Sequence, residues 1–300
     1  MKYLSFTGIL SIAVGLVLAL TLTGCQPEAE ASDKIGVVVT ILPQADFVEA
    51  VGGDRITVTV MVPPGASPHT YEPTPSQMTA LSEAKMYAKV GSGIEFELVW
   101  MDKLLAVNKE MLVVDCSEGI TLIEMGAPHE HEENEHGHEG MDPHIWMSPL
   151  NVKIMVENIC DGLIQVDPEG RAYYEDNRDT YLQELTQLDQ DIRDGLSAVA
   201  NRTFMVYHPA FGYFAREYNL IMLSVAEEGK EPTAAGITSL IEQAGECNIK
   251  TIFVSPQFNA ESAEVIAGAI DGRVVFIDSL AEDYIFNLRV LLGELIQAME

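Results

Sequence analysis

Seven histidines occur in the 300-residue chain, and their placement is its most chemically suggestive feature. Five of the seven fall in the stretch Pro128-His129-Glu130-His131-Glu132-Glu133-Asn134-Glu135-His136-Gly137-His138-Glu139-Gly140-Met141-Asp142-Pro143-His144. The other two, His69 and His208, each stand just past an apolar run of strand character. Neutral imidazole is the commonest protein ligand for zinc and its neighbours in the periodic table. Histidine concentrated on loops and strand ends points to the handling of a transition metal.

The surrounding residues sharpen that expectation. Ligands of open α/β sheets bind beyond the carboxyl ends of the strands. His69 follows a run ending at Val62 through Pro63-Pro64-Gly65-Ala66-Ser67-Pro68, His208 follows Val206-Tyr207, and Asp278 follows Val275-Phe276-Ile277. His144 sits just ahead of a helix start at Ser148-Pro149. Taken singly, a strand-end histidine is more often a hydrogen-bonded structural residue than a ligand, and Asp278 alone could cap a loop or pair with a base. Together, three imidazoles and one carboxylate make a tetrahedral, charge-matched set for a divalent cation. Two of the four come from each side of a long helical segment, so a cleft between two lobes would unite them.

The elements that must position these residues alternate short β-branched runs with amphipathic stretches. Strands are expected over 35–41, 56–62, 86–90, 111–114, 203–207, 220–225, 250–254 and 274–277. Helices are expected over 44–51, 75–84, 95–107, 211–218, 233–247, 260–270 and 284–299. Near-continuous apolar strands alternating with helices indicate parallel sheets covered on both faces. Thr74-Pro75-Ser76-Gln77 carries the cap, proline and glutamine of a capping box, and Ser148-Pro149 and Asp167-Pro168-Glu169 repeat the cap-then-proline arrangement. From Pro168 to about Val199, Tyr174, Tyr181, Leu185, Leu188, Ile192 and Leu196 recur at helical spacing. That segment would be about 45 Å long and, with one apolar face, should lie across the body.

The expected fold class is therefore α/β, with two lobes, each a mostly parallel sheet covered by helices, joined by a long linking helix with the ligand site between them. The lobes are placed at residues 34–167 and 200–300, with the linking helix at 168–199. Residues 128–141, rich in His and Glu and nearly devoid of apolar side chains, read as an unstructured loop.

A hydrophobic content of 47% supplies a substantial core, while a formal charge of −29 argues against nucleic acid as a partner. Residues 1–25 read as a secretory leader: Lys2, an apolar run from Ile9 to Leu22, and Leu22-Thr23-Gly24-Cys25, where Cys25 would take a lipid. An uncleaved membrane anchor is the competing reading of the same run. Gln26 to Asp33 would form a tether, leaving the working part outside the cytoplasm. The remaining cysteines, Cys116, Cys160 and Cys247, are odd in number and lack a CxxC spacing, so they are expected as small buried apolar residues.

Several stretches together resemble the zinc and manganese group of ABC-transporter solute-binding lipoproteins, the adhesin-like metal receptors. They are Val62 to Pro75 with its PHTYEP core, Asp142-Pro143-His144-Ile145-Trp146-Met147-Ser148-Pro149, Tyr207 to Phe214, Glu231-Pro232-Thr233-Ala234 and Ser255-Pro256-Gln257-Phe258. The resemblance covers nearly the whole chain after the tether. It implies two α/β lobes, a rigid linking helix, and a metal site between lobes held by His69, His144, His208 and a carboxylate, placed here at Asp278. It further implies a monomeric, lipid-anchored receptor that hands its metal to an ABC permease driven by a cytoplasmic ATPase. Imidazole at position 208, where manganese or iron receptors of the group tend to carry glutamate, makes the set softer and suits Zn2+, with Mn2+ as the alternative cargo. The histidine-rich loop points the same way, and His129, His131, His136 and His138 are candidates for an auxiliary metal site or for incidental binding. Two departures bear on hydrogen bonding around the ligands: Pro209 stands where the group often has Asp, and Ser255 where it often has Glu.

Readings from other classes compete with the receptor. A zinc hydrolase needs an open coordination position and a general base. No HExxH is present, the residue four after His131 being Glu135, and Glu72 is more readily a structural hydrogen-bonding residue than a base. A surface adhesin with structural metal is the third reading. For the receptor, each imidazole must be neutral to bind, so metal affinity should fall as pH drops below about 6.5.

Overall fold

Runs of Val, Ile and Thr become strands, and the capped amphipathic stretches become helices. The computed structural model describes residues 34–125, 140–226 and 231–300. In the first half, β1 (Ile35–Val39), α1 (Leu42–Gly52), β2 (Ile56–Val60), α2 (Pro75–Glu83), β3 (Met86–Lys89), α3 (Glu95–Val107) and β4 (Leu112–Asp115) follow in order. Then come α4 (Pro149–Val166) and the long α5 (Arg171–Ser197). The second half runs β5 (Thr203–Val206), α6 (Gly212–Glu217), β6 (Ile221–Ser224), α7 (Ala234–Glu246), β7 (Thr251–Val254), α8 (Glu261–Ala269), β8 (Arg273–Phe276) and α9 (Tyr284–Met299).

The strands form two four-stranded sheets, ordered β2-β1-β3-β4 and β6-β5-β7-β8, with every pairing parallel. Both sheets thus share one topology, a repeat too diverged to see in the residues themselves. In each, the order reverses beside the first strand, between β1 and β3 and between β5 and β7. Such a reversal opens a crevice at the strands' carboxyl ends. His208 lies just past β5, and Gln257 and Phe258 just past β7, so the second sheet's crevice is lined from both sides.

Local chemistry explains the element boundaries. Thr74 accepts from Gln77 N while the Gln77 side chain returns to Thr74 N at 2.9 Å, completing the capping box that starts α2. Ser148 caps α4 by accepting from Asn151 N. That helix was signalled by Ser148-Pro149, although its extent was not.

Asp167 departs from expectation. Rather than capping the long helix, its Oδ2 accepts from Arg55 Nε and Nη2 at 2.9 and 2.6 Å and from Tyr174 OH at 2.7 Å. A guanidinium is a stronger partner for a carboxylate than a backbone amide. Pro168–Gly170 therefore forms a 3-10 turn, and α5 begins only at Arg171, making it about 40 Å long.

Helix α5 does not bridge the lobes as an exposed strut. Tyr174, Tyr181, Leu185, Leu188, Ile192 and Leu196 are all buried, in one hydrophobic cluster with α1, α4 and α9 and with residues of both halves. A second cluster, including Met205, Ile252, Val254 and Ile266, lies around β5, β7 and α8. Asp46 of α1 ties three helices together, accepting from Tyr181 OH at 2.8 Å and from Tyr284 N at 3.3 Å. Burial raises the Asp46 pKa despite those bonds.

Cys116 and Cys160 are buried and unpaired as expected, whereas Cys247 is only half-buried at the end of α7. Among the described residues no helix is long and apolar enough to cross a membrane. Cys25 lies outside the described residues.

Candidate metal centre

His69, His144 and His208 reach one point from three different loops. His69 sits in the turn-rich connection after β2, His144 opens the 3-10 turn Ile145–Met147 ahead of α4, and His208 leaves the end of β5. Each offers a ring nitrogen, and the three nitrogens lie within 4.8 Å of one another. The Nε2 atoms of His144 and His208 are 3.2 Å apart. Zinc bound tetrahedrally at about 2.0 Å would space its nitrogens about 3.3 Å apart. The pair is thus already set at the edge length of such a tetrahedron.

The rings are oriented by distinct means. Asp142 Oδ1 accepts from His144 N at 2.9 Å and lies 2.7 Å from His144 Nδ1, which places the proton on Nδ1 and the lone pair on Nε2. Glu95 Oε2 lies 2.9 Å from His69 Nδ1. Burial pushes the Glu95 carboxyl up, but the His69 ring beside it outweighs that and holds it below its ordinary value. His208 Nδ1 has no hydrogen-bond partner among the described residues. Its ring is held instead by stacking on Phe258, with centroids 4.6 Å apart and an interplanar angle of 24°. Pro209, where the resembling group often has Asp, stands beside that unpartnered nitrogen in sequence. Burial, and then the neighbouring His144 and His69 rings, push the His208 pKa down to about 2. This ring is neutral, and so competent as a ligand, at any ordinary pH.

Further residues fix the supports. Glu97, in the first turn of α3, accepts from Val90 N (2.6 Å), Gly91 N (2.9 Å) and Thr40 Oγ1 (2.5 Å). Gly91 adopts φ +83°, a left-handed turn that brings the start of α3, and with it Glu95, against the end of β3. Asp142 packs against Gly212 of α6 so closely that a Cβ there would come 2.2 Å from Asp142 Oδ2. Tyr213 OH donates to Asp142 O at 3.0 Å. The indole of Trp146 crosses between halves and donates to Ser279 O at 2.8 Å.

Asp278 stands outside the three-imidazole group. Its Oδ1 accepts from Gln257 Nε2 at 2.7 Å and from Leu280 N at 2.8 Å. Ser279 and Leu280, next in sequence, line the cavity between the imidazoles together with Gln257, Phe258, Ser67 and Pro68. Ser255, the other departure from the group's pattern, lies within reach of Ser279, the two hydroxyls being 3.3 Å apart. Glu72 is exposed, and its side chain makes no hydrogen bond among the described residues. His129, His131, His136 and His138 lie outside the described residues. The segment that holds them leaves and returns through a bridge between Glu124 and Met141, directly before Asp142.

The cavity offers about 10 Å³, about the room that a single water or ion takes up. The sequence alone does not mark Glu95 and Phe258 as partners of the imidazoles, nor Gln257 as the partner of Asp278. No local pattern marks a glutamate at a helix start or a phenylalanine after a strand as a ring support. Asp142 was visible within the DPH triplet, but only the fold assigns its partner.

The family model described as zinc-uptake complex component A, periplasmic, matches residues 37–298. The chain belongs to this family. It is 30% identical over 254 residues to the high-affinity zinc uptake system protein ZnuA of Bacillus subtilis, covering 83% of this chain and 79% of that protein. It is also 30% identical over 287 residues to the manganese-binding lipoprotein MntA of Halalkalibacterium halodurans, covering 90% and 91%. It spans about half (52%) of the pneumococcal zinc-binding lipoprotein AdcA, which it also resembles. A crystal structure of ZnuA superposes with a TM-score of 0.84 and 40% identity, over 89% of this chain and all of that one. These matches bear out the two-lobed α/β fold and the receptor class, and set the hydrolase reading aside.

Proposed function

We propose that the protein is the extracytoplasmic receptor of a zinc importer, binding one Zn2+ through His69, His144 and His208 with Asp278 as fourth ligand. The observation that carries this is the convergence of three imidazole nitrogens from both halves of the chain on an ion-sized cavity. Three nitrogens and one oxygen form a set softer than manganese prefers, and His208 supplies the nitrogen that decides it. A relative that binds manganese shows that the fold alone does not choose the metal. Capture here requires no chemistry on the ion: the neutral His208 ring presents a lone pair, and Asp142 turns Nε2 of His144 toward the same point.

Lipid attachment at Cys25 would hold the receptor beside the permease and its ATPase, to which it would deliver the ion as a monomer. The His129, His131, His136 and His138 loop would serve as an auxiliary site of weaker affinity. Deleting residues 128–139 tests the last point: zinc stoichiometry should fall below that of the full chain, and an unchanged stoichiometry removes the auxiliary site. The principal reading is tested by competition titration of zinc against manganese. Wild type should prefer zinc, and His144→Ala or His208→Ala should abolish tight zinc binding. Equal affinity for both metals, or substituted proteins that retain tight binding, would overturn it.

A further inference from the structure

Gln257 carries an unusual arrangement. Its Nε2 donates to Asp278 Oδ1, while its own Oε1 is buried without a hydrogen-bond partner among the described residues. Reversing the amide would set its oxygen against the carboxylate, so the orientation is decided by Asp278. Leaving a buried carbonyl unsatisfied costs on the order of 1–3 kcal/mol, and an exception of this kind in a native fold calls for a reason. Asp278 Oδ1 meanwhile receives a second donor, Leu280 N, whereas Oδ2 accepts no hydrogen bond among the described residues. Both Gln257 and Leu280 line the cavity bounded by the three imidazoles.

We propose that Gln257 is a specificity-determining positioning residue: together with Leu280 N it holds Asp278 Oδ1, leaving Oδ2 to the ion and confining that carboxylate to one-oxygen coordination. The inference rests on Asp278 being the fourth ligand. One oxygen added to three imidazoles closes a four-coordinate shell, the geometry zinc adopts in closed sites. A carboxylate free to turn both oxygens inward would raise the coordination number and the oxygen share, which is what manganese favours. Hydrogen bonds to a ligating carboxylate commonly set both its orientation and the affinity of the site. Gln257 therefore discriminates between metals without touching the ion.

The test compares wild type, Gln257→Met, Gln257→Asn and Asp278→Ala, each first confirmed as folded by its metal-free melting transition. Methionine keeps the length and removes the donor; asparagine keeps the amide but is one methylene too short to reach. Zinc affinity in both variants should fall by about tenfold, with manganese affinity unchanged or higher, so that the preference for zinc narrows. The cobalt-loaded wild type should show the intense visible bands of a four-coordinate ion, and both Gln257 variants the weaker bands of a higher coordination number. In the Asp278→Ala background, Gln257→Met should add no further change. Variants that keep the four-coordinate spectrum and the metal preference of wild type overturn the proposal. So does an equal loss for both metals with the spectrum unchanged, which would mark Gln257 as merely structural. If Asp278→Ala binds zinc as wild type does, the fourth-ligand assignment fails and this inference with it, while the three-imidazole site stands.

Discussion

Three imidazoles doing one job are held in three different ways, and the differences predict how each support behaves. His144 depends on Asp142, which depends in turn on the missing side chain at Gly212. Gly212→Ala would push a methyl to within 2.2 Å of Asp142 Oδ2 and displace the carboxylate. Zinc affinity should fall by about 10–100-fold, as for other lost partners of metal-bound histidine; titration with a competing chelator reads this directly. His208 relies on Phe258, so Phe258→Ala should cost several-fold in affinity, in line with the ~1 kcal/mol of a ring stack. His208 also ties stability to pH. In the fold its pKa is depressed to about 2, whereas unfolded imidazole takes its proton near pH 6.5. Below pH 6.5 the unfolded chain therefore binds a proton that the folded chain refuses, and stability falls as pH drops, by about 2 kcal/mol between pH 7 and pH 5 from this group alone. Metal-free His208→Gln should show a correspondingly shallower loss in melting experiments over that range. The imidazoles themselves were legible in the sequence because histidine is scarce and stands at strand ends. Their supports were not, because the stacking Phe258 and the neighbouring Glu95 are defined by tertiary contacts with residues far away in sequence, not by any local pattern.

Among the elements, α4 shows what the sequence pattern leaves open. Ser148-Pro149 announces its start, yet its interior mixes Lys153, Glu157 and Asp161 with a glycine, and its length emerges only from packing. Gly162 sits where a Cβ would lie 2.4 Å from Val114 Cγ2 and 2.9 Å from Met86 Sδ, so α4 approaches β3 and β4 through that gap. Gly162→Ala, favourable for helix propensity alone, should instead destabilise the protein by about 1–3 kcal/mol through overpacking, measured by denaturant unfolding. The start of α5 gives the complementary lesson. Asp167-Pro168 has the residues of a helix cap, but Arg55, 112 positions earlier, takes the carboxylate. Local patterns placed α3 and α9 at their observed bounds, and α9 also carries a side-chain cap, Asp283 accepting from Phe286 N.

At the scale of the whole molecule, two sheets of identical strand order are joined to loops that line one small cavity, and α5 has its apolar face buried in the core that both halves share. Asp46, bonded to α5 and α9, and the Trp146–Ser279 bond add cross-ties that a wide hinge motion would have to break. Zinc binding should accordingly leave the radius of gyration nearly unchanged in small-angle scattering; a large compaction would mean that α5 does not restrain the lobes. The two-lobed architecture could be read from alternating strand and helix patterns on either side of one long amphipathic segment. The shared topology of the halves could not, because the repeat survives in strand order and not in residues. The central claim is that imidazoles from both halves hold one zinc ion, and anomalous diffraction at the zinc edge from zinc-soaked crystals tests it most directly. The expected result is a single strong peak about 2.0 Å from one ring nitrogen each of His69, His144 and His208. A peak bonded to histidine from one half only, or none between these three rings, would contradict it.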